Sequence, residues 1–242
     1  MPIPEIKLLL DSESLESKLR VWKRFSSAHN VFDEAVPLFE VDDEGRVVST
    51  TYGVDKRRIL KRSRQMEYKM ISEVMRVMEP GTTTDFEGIV YMMLWKEEPD
   101  LVIPLYIGKS SKYGRNGTIS TNLKGIQTNF NKFARWGSSY YYHIGDLSAV
   151  ACPGHPPIRA KPKYHKWASR LFTEIPSERP MLVRPTYFWT TAWSPKSQNI
   201  WMDYGKSSLS FQEYLLIGVA SDLFPQYLLN EDGVNSIQRE DT

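Results

Sequence analysis

The lysines and arginines of this 242-residue chain are gathered rather than spread. Residues 101–170 hold eleven of them against one carboxylate, Asp146, so this window carries +10 while the rest of a chain of net charge +2 carries −8. Within residues 56–69, Lys56, Arg57, Arg58, Lys61, Arg62, Arg64 and Lys69 are opposed only by Glu67. Concentrated charge on a nearly neutral protein is the electrostatic footprint of a polyanion partner, because each neutralised phosphate releases condensed counterions. Tyr113, Phe130, Phe133, Trp136, Tyr140, Tyr141, Tyr142, Tyr164 and Trp167 interleave with the first cluster. Their faces can stack on bases, as they can also fill a core. Candidate phosphate contacts are Lys56, Arg57, Arg58, Lys61, Arg62, Lys124 and Lys132.

His143 follows the run Tyr140-Tyr141-Tyr142. Imidazole titrates near neutrality, so it can bond a phosphate or pass a proton; its competing role is that of a core or strand histidine. Cys152-Pro153-Gly154-His155 has zinc-ligand types, but no second cysteine exists and His29, His143 and His165 are scattered, so a structural zinc site is not expected. A lone cysteine forms no internal disulfide, and no apolar run approaches the roughly 18 residues of a bilayer span. The segment 8–10 is too short for a signal-peptide core. The expectation is a soluble cytoplasmic protein without a membrane partner.

The elements that must hold these side chains follow from periodicity. Leu15, Leu19, Trp22 and Phe25 recur at helical spacing. Residues 39–48 read as two short extended runs around the turn Asp42-Asp43-Glu44-Gly45. Residues 57–78 read as one long helix, with Ile59, Met66, Met70, Val74 and Met78 as an apolar stripe beneath its basic face. Glu79-Pro80-Gly81 and the threonines after it predict a boundary near Thr84. Beyond it, residues 89–95 and 101–107 form a predicted hairpin across Lys96-Glu97-Glu98-Pro99-Asp100. A helix is predicted within 120–135, a strand over 140–144, an irregular Pro-rich stretch over 152–163, a helix over 164–172, a strand over 186–193 and a helix over 207–223, ended by Pro225.

At Ile89-Val90-Tyr91 and Tyr106-Ile107-Gly108-Lys109 the chain resembles the GIY-YIG nuclease family, closest in layout to its restriction-endonuclease-like members. Two departures stand: Ile89 occupies the family's first glycine position, and the spacing of 15 from Tyr91 to Tyr106 is slightly long. The family next needs an arginine on a helix, then a glutamate on a later helix, then commonly an asparagine. Arg135 or Arg115, Glu213 and Asn230 stand in that order. Arg115 follows the second motif closely but sits among Gly114, Asn116 and Gly117, poor helix formers, so Arg135 is favoured. The resemblance implies an α/β fold, a small mostly antiparallel sheet flanked by helices, with a mainly helical N-terminal region. It divides the chain into residues 1–84, a possible DNA-binding appendage, a nuclease domain over 85–230 with insertions, and a tail over 231–242.

The activity implied is metal-dependent hydrolysis of DNA phosphodiester bonds, with a non-catalytic nucleic-acid-binding protein on the same scaffold as the alternative. Tyr91 would activate water and Tyr106 would position water or phosphate, with Lys109 as the cation that lowers a phenol pKa from about 10. Arg135 would offset charge on the phosphoryl oxygens. Glu213 would hold Mg²⁺ or Mn²⁺, a hard cation that keeps several waters. Each residue has a structural competitor: Ser210-x-x-Glu213 reads as a capping box, and Asn230 as a turn residue. The implied partner is double-stranded DNA, and a homodimer suits cleavage at symmetric sites.

Overall fold

A computed structural model describes residues 12–52, 54, 56–79, 85–128, 143–201 and 204–235. Helix α1 (Ser12–Ala28) buries Leu15, Trp22 and Phe25 along one stripe. Trp22 Nε1 donates to the Val102 carbonyl at 2.9 Å, which ties the helix to the strand hairpin 80 positions later. A single helical turn, α2 (Val31–Glu34), leads into β1 (Val36–Pro37). The turn at 42–45 forms: Asp42 Oδ1 accepts from the Glu44 and Arg46 N–H groups, and Gly45 supplies a φ of 77°. Its flanks meet as the isolated bridge between Val41 and Val47 rather than as strands.

The single helix expected over 57–78 is corrected by the structure. Residues 57–60 form β3 (Arg57–Leu60), paired antiparallel with β2 (Ser49–Tyr52), and the helix is only α3 (Arg64–Met78). The physical cause is Ser63, whose Oγ accepts the Met66 N–H at 2.9 Å and so caps the helix there. The Leu60 N–H is meanwhile donated to Ser148 Oγ at 3.0 Å, a partner outside any local helix. Met66, Met70, Val74 and Met78 remain a buried stripe.

The main sheet is antiparallel with order β1, β6, β4, β5. Strands β4 (Gly88–Glu97) and β5 (Leu101–Ser111) form the predicted hairpin, and β6 (Tyr187–Trp193) pairs on the other side of β4. The first eight residues of β4 are all buried, so both faces of the sheet are covered there. Helix α4 (Thr121–Thr128) lies within the predicted span. Ile144, expected at the end of a strand, instead opens α5 (Ile144–Ala151), all of whose residues are buried; residues 140–142 lie outside the described ones. Their short apolar run carries no alternation to separate a strand from a buried helix. Helix α6 (Pro162–Leu171) has Pro162 in its first turn, and α7 (Leu209–Leu223) closes the order.

This is the α/β architecture expected: seven α-helices among the described residues around a four-stranded antiparallel sheet, with a separate two-stranded ribbon. The N-terminal elements share the main sheet through β1 and share one hydrophobic core with the rest. The boundary expected near Thr84 falls outside the described residues. Among the described residues, no helix is long and apolar enough to cross a membrane.

Candidate active site

Tyr91 stands opposite Gly108, and Tyr106 opposite Met93. The two tyrosines therefore share one face as diagonal neighbours on adjacent strands, with ring centroids 6.3 Å apart. Their hydroxyls share a hydrogen bond. Gly108 is where it is because the Tyr91 phenol lies across it: a Cβ built there would stand 2.5 Å from Tyr91 Oη. On its other side the Tyr91 ring stacks against Phe188, centroids 6.0 Å apart.

Strand β5 is an edge, and its outward rungs need partners. The Leu105 carbonyl accepts the Leu229 N–H at 2.7 Å. One rung further, Asn230 Oδ1 accepts the Ile107 N–H at 2.9 Å and Asn230 Nδ2 donates to the Ile107 carbonyl at 2.8 Å. At the next rung, the Glu213 carboxylate faces the backbone N–H of Lys109, with Lys109 Nζ 3.6 Å from its Oε2. Asn230 and Glu213 thus reach the tyrosines by docking on one strand edge. Asn230 is more than a turn residue.

The capping box that competed with a metal-binding role for Glu213, at Ser210 and Glu213, does not form. Ser208 is the cap, its Oγ accepting the Phe211 N–H at 3.3 Å, and the Glu87 carboxylate takes the Leu209 N–H at 2.6 Å. A carboxylate at a helix N-terminus is favoured by the helix dipole, and here it also fastens α7 to the start of β4. Glu213, one turn on, is left to face the edge of β5.

Burial, only partly offset by Lys109, raises the Glu213 carboxyl above its ordinary value. Burial and the neighbouring Glu213 charge push Tyr106 up to about 12. Tyr106 is accordingly a neutral phenol at physiological pH, a donor rather than a base. His143, in a left-handed backbone conformation with φ 64°, places Nδ1 2.5 Å from the Tyr164 hydroxyl and its ring centroid 5.0 Å from that of Tyr106. Burial and then the Lys163 charge lower it to about 3, so the imidazole is neutral. A cleft of about 220 Å³ opens beside Tyr106 and Glu213, lined also by Lys163, Tyr214, Ile217, Asn230, Glu231 and Asp232.

Of the residues singled out in the sequence, Tyr91, Tyr106, Lys109, His143, Glu213 and Asn230 come together. Arg115 lies in an exposed turn, while Arg135 and Lys132 lie outside the described residues. Three of the expected phosphate contacts are engaged within the protein. Arg58 pairs with Glu178 at 2.7 Å, Lys61 with Glu40 at 2.8 Å, and Arg62, only 3% exposed, with Glu67 at 2.5 Å. Arg62 is corrected outright as a surface contact: its side chain turned inward once residues 57–60 became a strand instead of a helix face. Lys56 is exposed with φ 47°, Arg57 is half-buried in β3, and Lys124 is exposed on α4.

Lys163, Tyr164, Glu231 and Asp232 were missed as site residues. Lys163 and Tyr164 belong to the basic, aromatic window, but only the packing of α6 against Tyr106 turns Lys163 toward the cleft, while Tyr164 is buried against His143 and Asp146. Glu231 and Asp232 follow Asn230 directly, and adjacency to that residue was the available signal. Among the described residues, no three His, Cys, Asp or Glu side chains converge to hold a metal ion. No protein-family model matches the chain, and no curated protein or solved structure matches it either.

Proposed function

We propose that this protein is an endonuclease of GIY-YIG type that hydrolyses DNA phosphodiester bonds, with restriction of foreign DNA as its setting. The observation that carries the reading is that Tyr106 on β5 and Glu213 on α7 line one solvent-reachable cleft, with Tyr91 of β4 hydrogen-bonded to Tyr106 behind it and Lys109 Nζ 3.6 Å from Glu213. A divalent cation fits the half-buried Glu213 carboxylate as its one protein ligand, since Mg²⁺ or Mn²⁺ retains waters and takes a phosphate oxygen for the rest. When bound, such an ion supplies charge neutralisation and a more acidic water.

The remaining chemistry belongs to the chain. Tyr91, held over Gly108, acts as the phenolate left when its proton has passed to solvent: Oη takes a proton from the attacking water as the water oxygen bonds to phosphorus and the P–O bond to the leaving strand breaks. Tyr106 keeps its own proton, so it donates a hydrogen bond that orients the water or the phosphate. Lys109 lends positive charge beside Glu213. An arginine, Arg135 by its place in the motif order and Arg115 otherwise, offsets charge developing on the phosphoryl oxygens. Glu213→Gln tests the reading on supercoiled plasmid with Mg²⁺ or Mn²⁺. Nicking by the wild type and none by the variant, at unchanged stability, is the expected result; a wild type that binds DNA but never nicks it refutes hydrolysis.

That second outcome describes the alternative, a non-catalytic DNA-binding protein. Its support is specific: Glu213 already pairs with Lys109 and completes a rung of β5, so the glutamate has a structural task without any metal.

A further inference from the structure

The cleft holds a cation that the scheme above does not use. Lys163 is half-buried at its wall, and removing an ammonium from water is unfavourable unless something replaces the lost hydration. Three ring faces do so in part: its Nζ lies 5.2 Å from the centroid of Tyr106, 5.4 Å from Trp167 and 5.9 Å from Tyr164. Among the described residues, no carboxylate is within ion-pair distance; Glu231, Asp232 and Asp146 act on it only from further away. The residue next to it is held firmly, because Tyr164 bonds both His143 and Asp146. The ammonium is held at the cleft wall by those ring faces, two of which belong to the buried Tyr164 and Trp167.

The surroundings define what it awaits. Glu213, Glu231 and Asp232 line the same cleft, so an entering anion meets negative charge except at this wall. Arg159 and Lys161, which share the field of Asp146 with Lys163, extend the positive charge outward along the Pro-rich segment. We propose that Lys163 is a substrate-binding residue that takes a backbone phosphate of the DNA strand beside Tyr106. This rests on DNA being the ligand of the cleft, not on the cleft being hydrolytic.

The test is Lys163→Met in the full-length chain, which removes the charge and keeps the aliphatic packing on the rings. Binding to a fluorescent duplex is followed by anisotropy over a KCl series in EDTA, with no metal and no turnover. One lost phosphate contact makes the slope of log K against log salt shallower by about 0.9, and Lys163→Arg retains the wild-type slope. An unchanged slope in Lys163→Met overturns the assignment. Where Lys163→Met fails to fold by circular dichroism, Lys163→Gln takes its place. Failure of both means the ammonium serves the rings alone, which also overturns it. Plasmid nicking measured alongside separates the two claims: nicking with an unchanged slope removes only the anchor, and a shallower slope in a protein that never nicks removes only the hydrolysis.

Discussion

Replacing Gly108 by alanine drives a methyl group into the Tyr91 phenol. The new Cβ would lie 2.5 Å from Oη, 2.6 Å from Cζ and 2.9 Å from Cε2, whereas carbon atoms in contact prefer about 3.5–4.0 Å. The ring must retreat by about 1 Å, and it is buried, with Phe188 stacked behind it and Tyr106 beside it. Overpacking of this kind costs about 1–3 kcal/mol of stability, measurable by guanidinium denaturation. The larger effect falls on the rate, since misplacing a reacting group by about 1 Å costs about 100-fold. Single-turnover nicking of supercoiled plasmid reads that loss. Adding Gly108→Ala to Tyr91→Phe, which already lacks the hydroxyl, is expected to cost little further rate. A Gly108→Ala enzyme with wild-type rate and stability refutes the packing argument. An equal rate loss in the Tyr91→Phe background refutes the claim that Gly108 acts by placing that hydroxyl.

Other perturbations address the strand edge, the buried imidazole and the arginine. Asn230→Ala strands the buried N–H and carbonyl of Ile107, for an expected loss of about 2–4 kcal/mol in denaturant unfolding; a loss below about 1 kcal/mol would mean water replaces the amide. His143 is lowered from 6.5 to about 3 in the fold, so unfolding takes up a proton below pH 6.5 and stability is lost as pH falls from there toward 3. At pH 5 the loss is about 2 kcal/mol relative to pH 7.5, and denaturation of His143→Gln over the same range should lack it. Arg135→Ala is expected to abolish nicking, and Arg115→Ala to weaken DNA binding while leaving single-turnover cleavage at saturating protein nearly intact. The reverse pattern gives the transition-state role to Arg115.

Several elements were legible in the chain because their signals are local. Leu15, Trp22 and Phe25 repeat with the helix, and the runs around Tyr91 and Tyr106 are bounded by turn residues that fix a hairpin. Which side chains share a face was not implied by spacing: the pairing of Glu97 with Leu101, carried on unbroken, would set Tyr91 opposite Ile107, and only the irregularity between Met93 and Leu94 brings Tyr106 onto the face of Tyr91. Where local signals competed, neighbours along the chain could not decide. Residues 57–60 fit a helical stripe, and only pairing with 49–52 and the hydroxyl of Ser148 made them a strand, which also turned Arg62 inward. Ser208 and Ser210 are both acceptable caps, and the choice fell to Ser208 with Glu87, a carboxylate 122 positions away, taking the next N–H. That choice freed Glu213 for the edge of β5. The periods of helices and strands are written in consecutive residues, so sequence determined the elements and the order of the candidate residues. Which carboxylate meets which strand edge, and which lysine is left facing the cleft, depends on distant groups satisfying one another's hydrogen bonds and charges, and only the packed molecule decides that.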